Sequence, residues 1–204
     1  MTIEKEISKQ RLRNLVSLSG QNKIGKKDMI LSGFIKPEFS TKTAKGEEIY
    51  IKYLILDECD YEIEILVPKN LISDEQNNKY IHAEILAENN FHSKGHKLIF
   101  EVLVKFIKFR EDKENTNSSL CYVEGNICYL NVYKNKIDFL VQVNRQHYTE
   151  LSKASYIPCV YYNYEERPFR IGQYVKLWGN LIQRNFIKED RLEKVFEIKV
   201  DMLD

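Results

Sequence analysis

The sequence lacks the features by which metal sites, catalytic centres and membrane segments are usually recognised. Its four cysteines include no pair at the close spacing of a zinc site, so they are predicted to be buried free thiols. Neither a glycine-rich phosphate loop nor a GxSxG motif is present. No stretch approaches the roughly 20 apolar residues that cross a bilayer, and no signal-peptide core precedes the first charged residues. These absences predict a non-enzymatic, cytoplasmic protein. The cysteines are Cys59, Cys121, Cys128 and Cys159.

Histidine offers a single spacing of interest. His92 and His96 have the i, i+4 spacing of helical metal ligands, but Gly95 lies between them in a turn-like stretch. Carboxylates are numerous, yet none stands in a paired context that would suit acid–base chemistry. The sequence therefore predicts no catalytic residues, no metal site and no cofactor.

The charges almost cancel, with a formal net charge of +1, which argues against a strongly basic nucleic-acid binder. Their distribution is uneven. Residues 1–27 hold seven Lys/Arg and two Glu, for +5, whereas residues 28–109 hold ten basic and fourteen acidic side chains, for −4. Residues 119–204 hold twelve basic and eleven acidic side chains, for +1. Any surface that binds a polyanion must therefore be a local stripe.

The hydrophobic pattern predicts an all-β chain. A short amphipathic helix is predicted over residues 3–18, within a basic segment that ends at residue 27. From residue 28 the apolar residues alternate with a period of two, except in the polar segment 110–119, which is predicted to be a linker. Strands are predicted at 29–36, 48–57, 61–67, 79–88 and 97–109, then at 120–130, 136–144, 155–162, 173–184 and 194–202.

Five strands on either side of the linker are too few for a large sandwich and suit the five-stranded Greek-key barrel of the OB-fold. We therefore predict two tandem OB-fold barrels, over residues 28–109 and 120–204. An internal repeat supports this prediction. Gly33 in LSGFI matches Gly125 in VEGNI, and residues 80–91 match residues 175–186.

The second half carries four segments in a familiar order: VEGNI (123–127), FLVQVNRQ (139–146), SYIPCVYYN (155–163), and residues 171–186 followed by 191–203. On these segments it resembles bacterial single-stranded DNA-binding proteins and the related primosomal protein PriB. Two departures stand out. The family has a helix where this chain has residues 163–170, interrupted by Pro168, and the family's acidic tail has no counterpart after Asp204. These departures favour an accessory, phage, plasmid or PriB-like role.

Single strands are held by aromatic rings that stack on bases and by cations that follow the phosphates. In the strand from Tyr174, aromatic and basic residues alternate with an apolar face. The resemblance places Phe186 and Tyr162 at base-stacking positions, with Phe91 as the counterpart of Phe186 in the first half. The segments 36–46 and 89–97 are predicted to be the loops that flank the OB groove. The predicted nucleic-acid-binding residues are Phe186, Tyr162, Trp178, Tyr174, Lys176, Arg184, Lys188, Phe91, Lys94, Lys97, Lys42 and Lys45.

The predicted function is single-stranded DNA binding in DNA replication or in the maintenance of mobile-element, plasmid or phage DNA. The alternative is a protein-interaction module of a primosome-like complex, in which the acidic first barrel docks a replication protein and DNA binding is slight. RNA is a further alternative ligand. Trp178 and Tyr174 could instead pack against the other barrel or in self-association, because aromatic residues on barrels often serve as interface residues.

Overall fold

The computed structural model describes residues 27–44, 47–57, 61–94, 97–110, 119–143, 155–162, 169–188 and 191–203. The predicted helix over 3–18 and most of the predicted linker lie outside these ranges. Within them the chain is almost entirely β-strand, which confirms the predicted all-β fold class. No helix among the described residues is long and apolar enough to span a membrane.

Ten strands are described, and each overlaps a predicted one. They are β1 Asp28–Ala44, β2 Glu47–Leu56, β3 Glu62–Pro68, β4 Ile81–Lys94, β5 Lys97–Phe109, β6 Ser119–Val132, β7 Lys136–Val143, β8 Ser155–Tyr162, β9 Tyr174–Lys188 and β10 Arg191–Leu203. Because β1 and β4 continue well beyond their predicted ends, the segments predicted as groove-flanking loops, 36–46 and 89–97, are largely the arms of β-hairpins. The prediction that these segments are loops was therefore wrong. Strands that extend beyond a barrel core accept polar residues, so the polar sequence of these segments does not distinguish a strand from a loop.

The chain divides into two compact units, residues 1–89 with 101–120 and residues 90–100 with 121–204. The first barrel has the strand order β2-β3-β5-β4-β1, and β1 pairs again with β2, so the five strands form a closed ring. Its β3 and β5 are parallel, with Ile65 opposite Val102. These two residues and Leu54 are buried, because alternate residues of each strand face the inside of the ring.

The second barrel repeats the same order, β6-β7-β8-β10-β9, and β6 pairs with β9 to close it. Its β8 and β10 are parallel, with Cys159 opposite Ile198. The alternation is clearest in β7, where Ile137, Phe139 and Val141 are buried and the residues between them are partly exposed. A closed five-stranded ring with this parallel pair is the OB-type barrel that the strand count predicts.

A short helix, α1 (Asp74–Asn77), lies between β3 and β4 of the first barrel, after a 3₁₀ turn at Lys69–Leu71. Ser73 caps it, since its side chain accepts from the Gln76 backbone while the Gln76 side chain accepts from the Ser73 backbone. The sequence pattern did not predict this helix because four residues are too few to show a helical period.

Lys52 faces the interior of the first barrel and is 0% exposed. Its Nζ donates to the Asn77 carbonyl oxygen at 2.9 Å and to Asn77 Oδ1 at 2.7 Å, and it lies 4.9 Å from the centre of the Phe39 ring. Burial lowers the pKa of Lys52 from 10.5 to about 8. The lysine thus joins α1 to β2 with an ammonium group that is removed from water.

This lysine should make stability depend on pH above neutrality. The unfolded chain keeps the Lys52 proton up to about pH 10.5 and the folded chain releases it near 8, so between these values stability should rise with pH. Each pH unit contributes at most about 1.4 kcal/mol. The test is the difference in free energy of unfolding between wild type and Lys52→Met from pH 7 to 10.5. Parallel curves would contradict the assignment, since all other groups titrate equally in both proteins.

Candidate nucleic-acid interface

Four exposed tyrosines gather on the outward side of β6, β7 and β8 in the second unit. The alternation that buries one side of β7 turns the other side of this sheet outward, and the tyrosines on it are between 37% and 51% exposed. A group of large exposed rings on one surface makes that surface a candidate binding face. We call this surface the tyrosine face; its tyrosines are Tyr129, Tyr133, Tyr156 and Tyr162.

The strand register sets the spacing of these rings. Tyr129 lies opposite Leu140, which in turn lies opposite Pro158. Lys136 lies opposite Tyr162 at one end of the same sheet. The tyrosines therefore stand around an apolar centre, at separations set by neighbouring strands about 4.8 Å apart.

Two cations belong to this surface, and both are paired with carboxylates. Lys136 Nζ lies 4.7 Å from the centre of the Tyr133 ring and 2.9 Å from Asp138 Oδ2. The Arg184 guanidinium lies 3.5 Å from Asp138 Oδ2 and 3.0 Å from Glu197 Oε2. Because these charges are paired with carboxylates, the surface attracts an anion less than free cations would.

A cavity of about 260 Å³ opens among these groups. Tyr129, Tyr133, Arg184 and the buried side chain of Glu197 are among its lining residues. Burial raises the pKa of Glu197 above its usual value, and the nearby Arg184 charge opposes this effect in part. Glu197 Oε1 is buried and accepts no hydrogen bond from the described residues. The cavity is thus lined by aromatic rings and by charged side chains that pair with each other.

The structure places two of the predicted residues at this surface. Tyr162 is exposed on the tyrosine face, and Arg184 lines the cavity. Trp178 and Tyr174, also on β9, contact other residues. Trp178 packs on Tyr122, with ring centres 4.5 Å apart, and the Tyr174 hydroxyl donates to Glu124.

That hydrogen bond raises the pKa of Tyr174. Lys176 lies exposed between these two aromatic residues on β9. The cavity lining includes Arg184 but none of Tyr174, Lys176 and Trp178. The aromatic and basic residues that alternate along β9 therefore lie in at least two separate environments.

The remaining predicted residues, apart from Lys45, lie on the hairpin arms. Phe186 and Lys188 belong to β9, Phe91 and Lys94 to β4, and Lys97 to β5, and their side chains are not among those described. Lys42 on β1 has its Nζ 4.0 Å from Glu101 Oε1, and Lys45 lies outside the described residues.

Three tyrosines of the tyrosine face were missed in the sequence. Tyr129 follows a register shift between Ile127 and Tyr129, which reverses the inside-outside alternation of β6. Tyr133 stands just beyond β6, where its backbone N–H donates to the Lys136 carbonyl at 2.9 Å. The resemblance indicated the strand that is β8 here, but it did not indicate Tyr156. Tyr156 is an exposed residue of β8 with a buried neighbour on either side.

Three of the four cysteines lie in the described ranges, and Cys59 lies outside them. Cys121 and Cys159 are buried free thiols, as predicted, whereas the free thiol Cys128 is only partly buried. Burial raises the pKa of the Cys121 and Cys159 thiols well above the usual value. In the part of the chain that the structure describes, no three metal-ligating side chains come together.

The chain matches no family model and no curated protein. It does match solved structures. One is a deletion mutant of the single-stranded DNA binding protein from Thermus aquaticus, with a TM-score of 0.56 and 14% sequence identity over 87% of this chain and 93% of that chain. At this identity the likeness concerns the fold, and it extends over more of the chain than either barrel alone contains.

Proposed function

We propose that this chain binds single-stranded DNA, without catalysis, on the tyrosine face of its second barrel. The observation that carries the proposal is the group of four exposed tyrosines on one sheet. A base that stacks on an aromatic ring contributes about 1–3 kcal/mol, so a few such rings give useful affinity. The shared fold with a single-stranded DNA binding protein supports the same ligand.

Single strands fit this surface better than duplexes do. The flat faces of bases are available for stacking only when the strand is unpaired. The cations beside the tyrosines are already engaged by Asp138 and Glu197, so attraction to phosphate contributes less than in a basic groove. Phe186 on β9 and Phe91 on β4 are proposed as further stacking residues.

The role that follows is maintenance of single-stranded DNA in replication, or in plasmid, phage or other mobile-element DNA, in the cytoplasm. Two barrels in one chain would act as a tandem repeat, equivalent to a dimer of single-barrel proteins such as PriB. A replication protein docked on the acidic first barrel is the rival function, and it predicts that changes on the tyrosine face leave the partner's affinity unchanged.

Replacing Tyr129 with alanine should weaken binding of a single-stranded oligonucleotide by about 1–3 kcal/mol, because one stacking ring is lost. The melting temperature should change little, since about half of the Tyr129 surface is already exposed. Fluorescence anisotropy and thermal unfolding on the same preparation measure the two effects.

Tyr80 provides a matched control for this substitution. It is 55% exposed and belongs to the first unit, where it stacks on Phe34 at 4.9 Å. Tyr80→Ala should leave the oligonucleotide affinity unchanged. Equal losses in both variants, or a loss in neither, would show that the tyrosine face is not the binding surface.

A further inference from the structure

We propose that the outward side of β2 and β3 in the first barrel is a docking site for the basic N-terminal segment of the same chain, residues 1–26. We call this surface the β2–β3 face. Because this docking needs no nucleic acid, it goes beyond the proposed function. The residues of the face are Ile51, Tyr53, Ile55, Glu62 and Glu64.

The centre of the β2–β3 face is a row of apolar side chains on β2. Ile51, Tyr53 and Ile55 are partly exposed, whereas Lys52 and Leu54 between them are buried inside the barrel. Neighbouring residues of a strand point to opposite sides, so the three partly exposed side chains lie on one outward surface. The solvated side of an antiparallel sheet normally carries polar residues. We therefore expect another segment to cover this row.

Two exposed carboxylates border the row on β3. Glu62 lies opposite Ile55, and Glu64 lies opposite Tyr53. Glu62 is paired with Lys36 at 2.9 Å, whereas Glu64 forms no ion pair with any residue in the described ranges. An apolar row with a carboxylate beside it suits a segment that carries both apolar and basic side chains.

The tyrosine face differs from the β2–β3 face at the corresponding positions. In each barrel a glycine of the first strand faces one carbonyl oxygen of the second strand, that of Ile55 in one barrel and that of Gln142 in the other. These two residues are therefore equivalent. The residue opposite them on the third strand is Glu62 in the first barrel and Tyr156 in the second. A carboxylate at this position repels phosphate and attracts a basic segment.

Residues 1–26 have the composition that the β2–β3 face requires. They hold six Lys/Arg and two Glu, whereas residues 28–109 hold ten basic and fourteen acidic side chains. The charges of the two parts are therefore opposite in sign. The segment also carries apolar residues among its charges, including Ile3, Ile7, Leu12, Leu15 and Val16.

The point of attachment brings the segment close to the face. Asp28 begins β1, and Gly33 of β1 lies opposite Leu56 of β2. These five steps along the strand span about 17 Å, so a few residues before Asp28 bridge the distance and the rest can lie on the face. A tethered segment has an effective concentration of about a millimolar, so weak contacts are enough to hold it.

Trypsin cleavage after Arg11 and Arg13, followed by mass spectrometry, measures whether the segment is docked. Cleavage in the protein should be at least about tenfold slower than in a synthetic peptide of residues 1–26, because a docked segment must detach before it is cut. Added salt should speed cleavage in the protein, since it screens exposed charges.

The double variant Ile55→Gln, Glu64→Gln removes one apolar contact and one charge from the face. Cleavage after Arg11 should become about tenfold faster than in wild type, the effect of losing most of the burial of one apolar side chain. Glu75→Gln is the matched control, because Glu75 is exposed on α1 and pairs with Lys79 there. It should keep the wild-type rate, and melting temperatures of both proteins report any change in the fold.

Equal cleavage rates in the protein and the peptide would overturn the proposal and leave the face open to another protein. Protection that the double variant does not reduce would contradict the β2–β3 face as the site. Protection that increases with protein concentration would contradict docking within one chain and indicate a second copy. If the double variant does not fold, Glu64→Gln alone should speed cleavage about two- to threefold. Oligonucleotide binding is not involved in any of these measurements, so a failure of the proposed function would be seen separately.

Discussion

Replacing Gly33 with alanine should lower the free energy of unfolding by about 3 kcal/mol or more, because the added methyl group has no space. A Cβ at Gly33 would lie 2.0 Å from the Ile55 carbonyl oxygen. This atom belongs to the backbone of the paired strand β2, so the strands themselves would have to separate. Gly125 in the second barrel lies equally close to its paired strand, since a Cβ added there would be 2.3 Å from the Gln142 carbonyl oxygen.

Urea unfolding of Gly33→Ala and Gly125→Ala measures the effect. Gly172 supplies the control, because it has φ of +86° and nothing within 4 Å of an added Cβ. Gly172→Asn should cost less than about 1 kcal/mol, since asparagine tolerates the left-handed conformation. If Gly33→Ala were no more destabilising than Gly172→Asn, the result would contradict the close approach of β1 and β2 at Gly33.

Arg110→Ala should lower the free energy of unfolding by about 3–5 kcal/mol, the usual effect of removing one partner from a buried ion pair. The Arg110 guanidinium lies 2.6 Å from Glu84 Oε2, and Glu84 is 1% exposed. The Arg110 backbone N–H also donates to the His82 carbonyl at 3.0 Å. Without the guanidinium, a buried carboxylate loses a cationic partner.

A second substitution separates charge from packing. Glu84→Gln in the Arg110→Ala background should recover most of the loss, because a neutral amide is far less costly to bury than a carboxylate. Lys69→Ala is the exposed counterpart, since Lys69 pairs with Glu48 at the surface, and it should change stability little. Similar losses for Arg110→Ala and Lys69→Ala would contradict a buried role for the Arg110 ion pair.

Much of the fold could be predicted because it follows from period-two alternation and from two glycines. Gly33 and Gly125 stood at matching places in the sequence, and each proves to face a carbonyl oxygen of a paired strand. Lys52 could not be predicted to be buried. Its alternation places it with buried residues, but a lysine is accepted there only because Asn77, 25 residues later, receives its ammonium.

The candidate site was predicted less completely, for reasons of register. A bulge at Cys128 decides which side of β6 Tyr129 occupies, and no residue pattern marks it. Glu197 was missed because a charged residue in a strand is normally an exposed one. The resemblance singled out Tyr162 and the alternation of β9 singled out Arg184, and the structure places Tyr162 on the tyrosine face and Arg184 in the cavity lining.

If unpaired bases stack on the second barrel, the protein should discriminate between single and double strands. Fluorescence anisotropy of wild type with a labelled oligothymidine and with a duplex of equal length, at low and moderate salt, measures this difference. We expect the single strand to bind more tightly than the duplex, and its log affinity to fall with log salt by about 0.7 per phosphate contact, with few contacts. Duplex binding as tight as single-strand binding, or no single-strand binding at low salt, would contradict the account and favour the protein-interaction alternative.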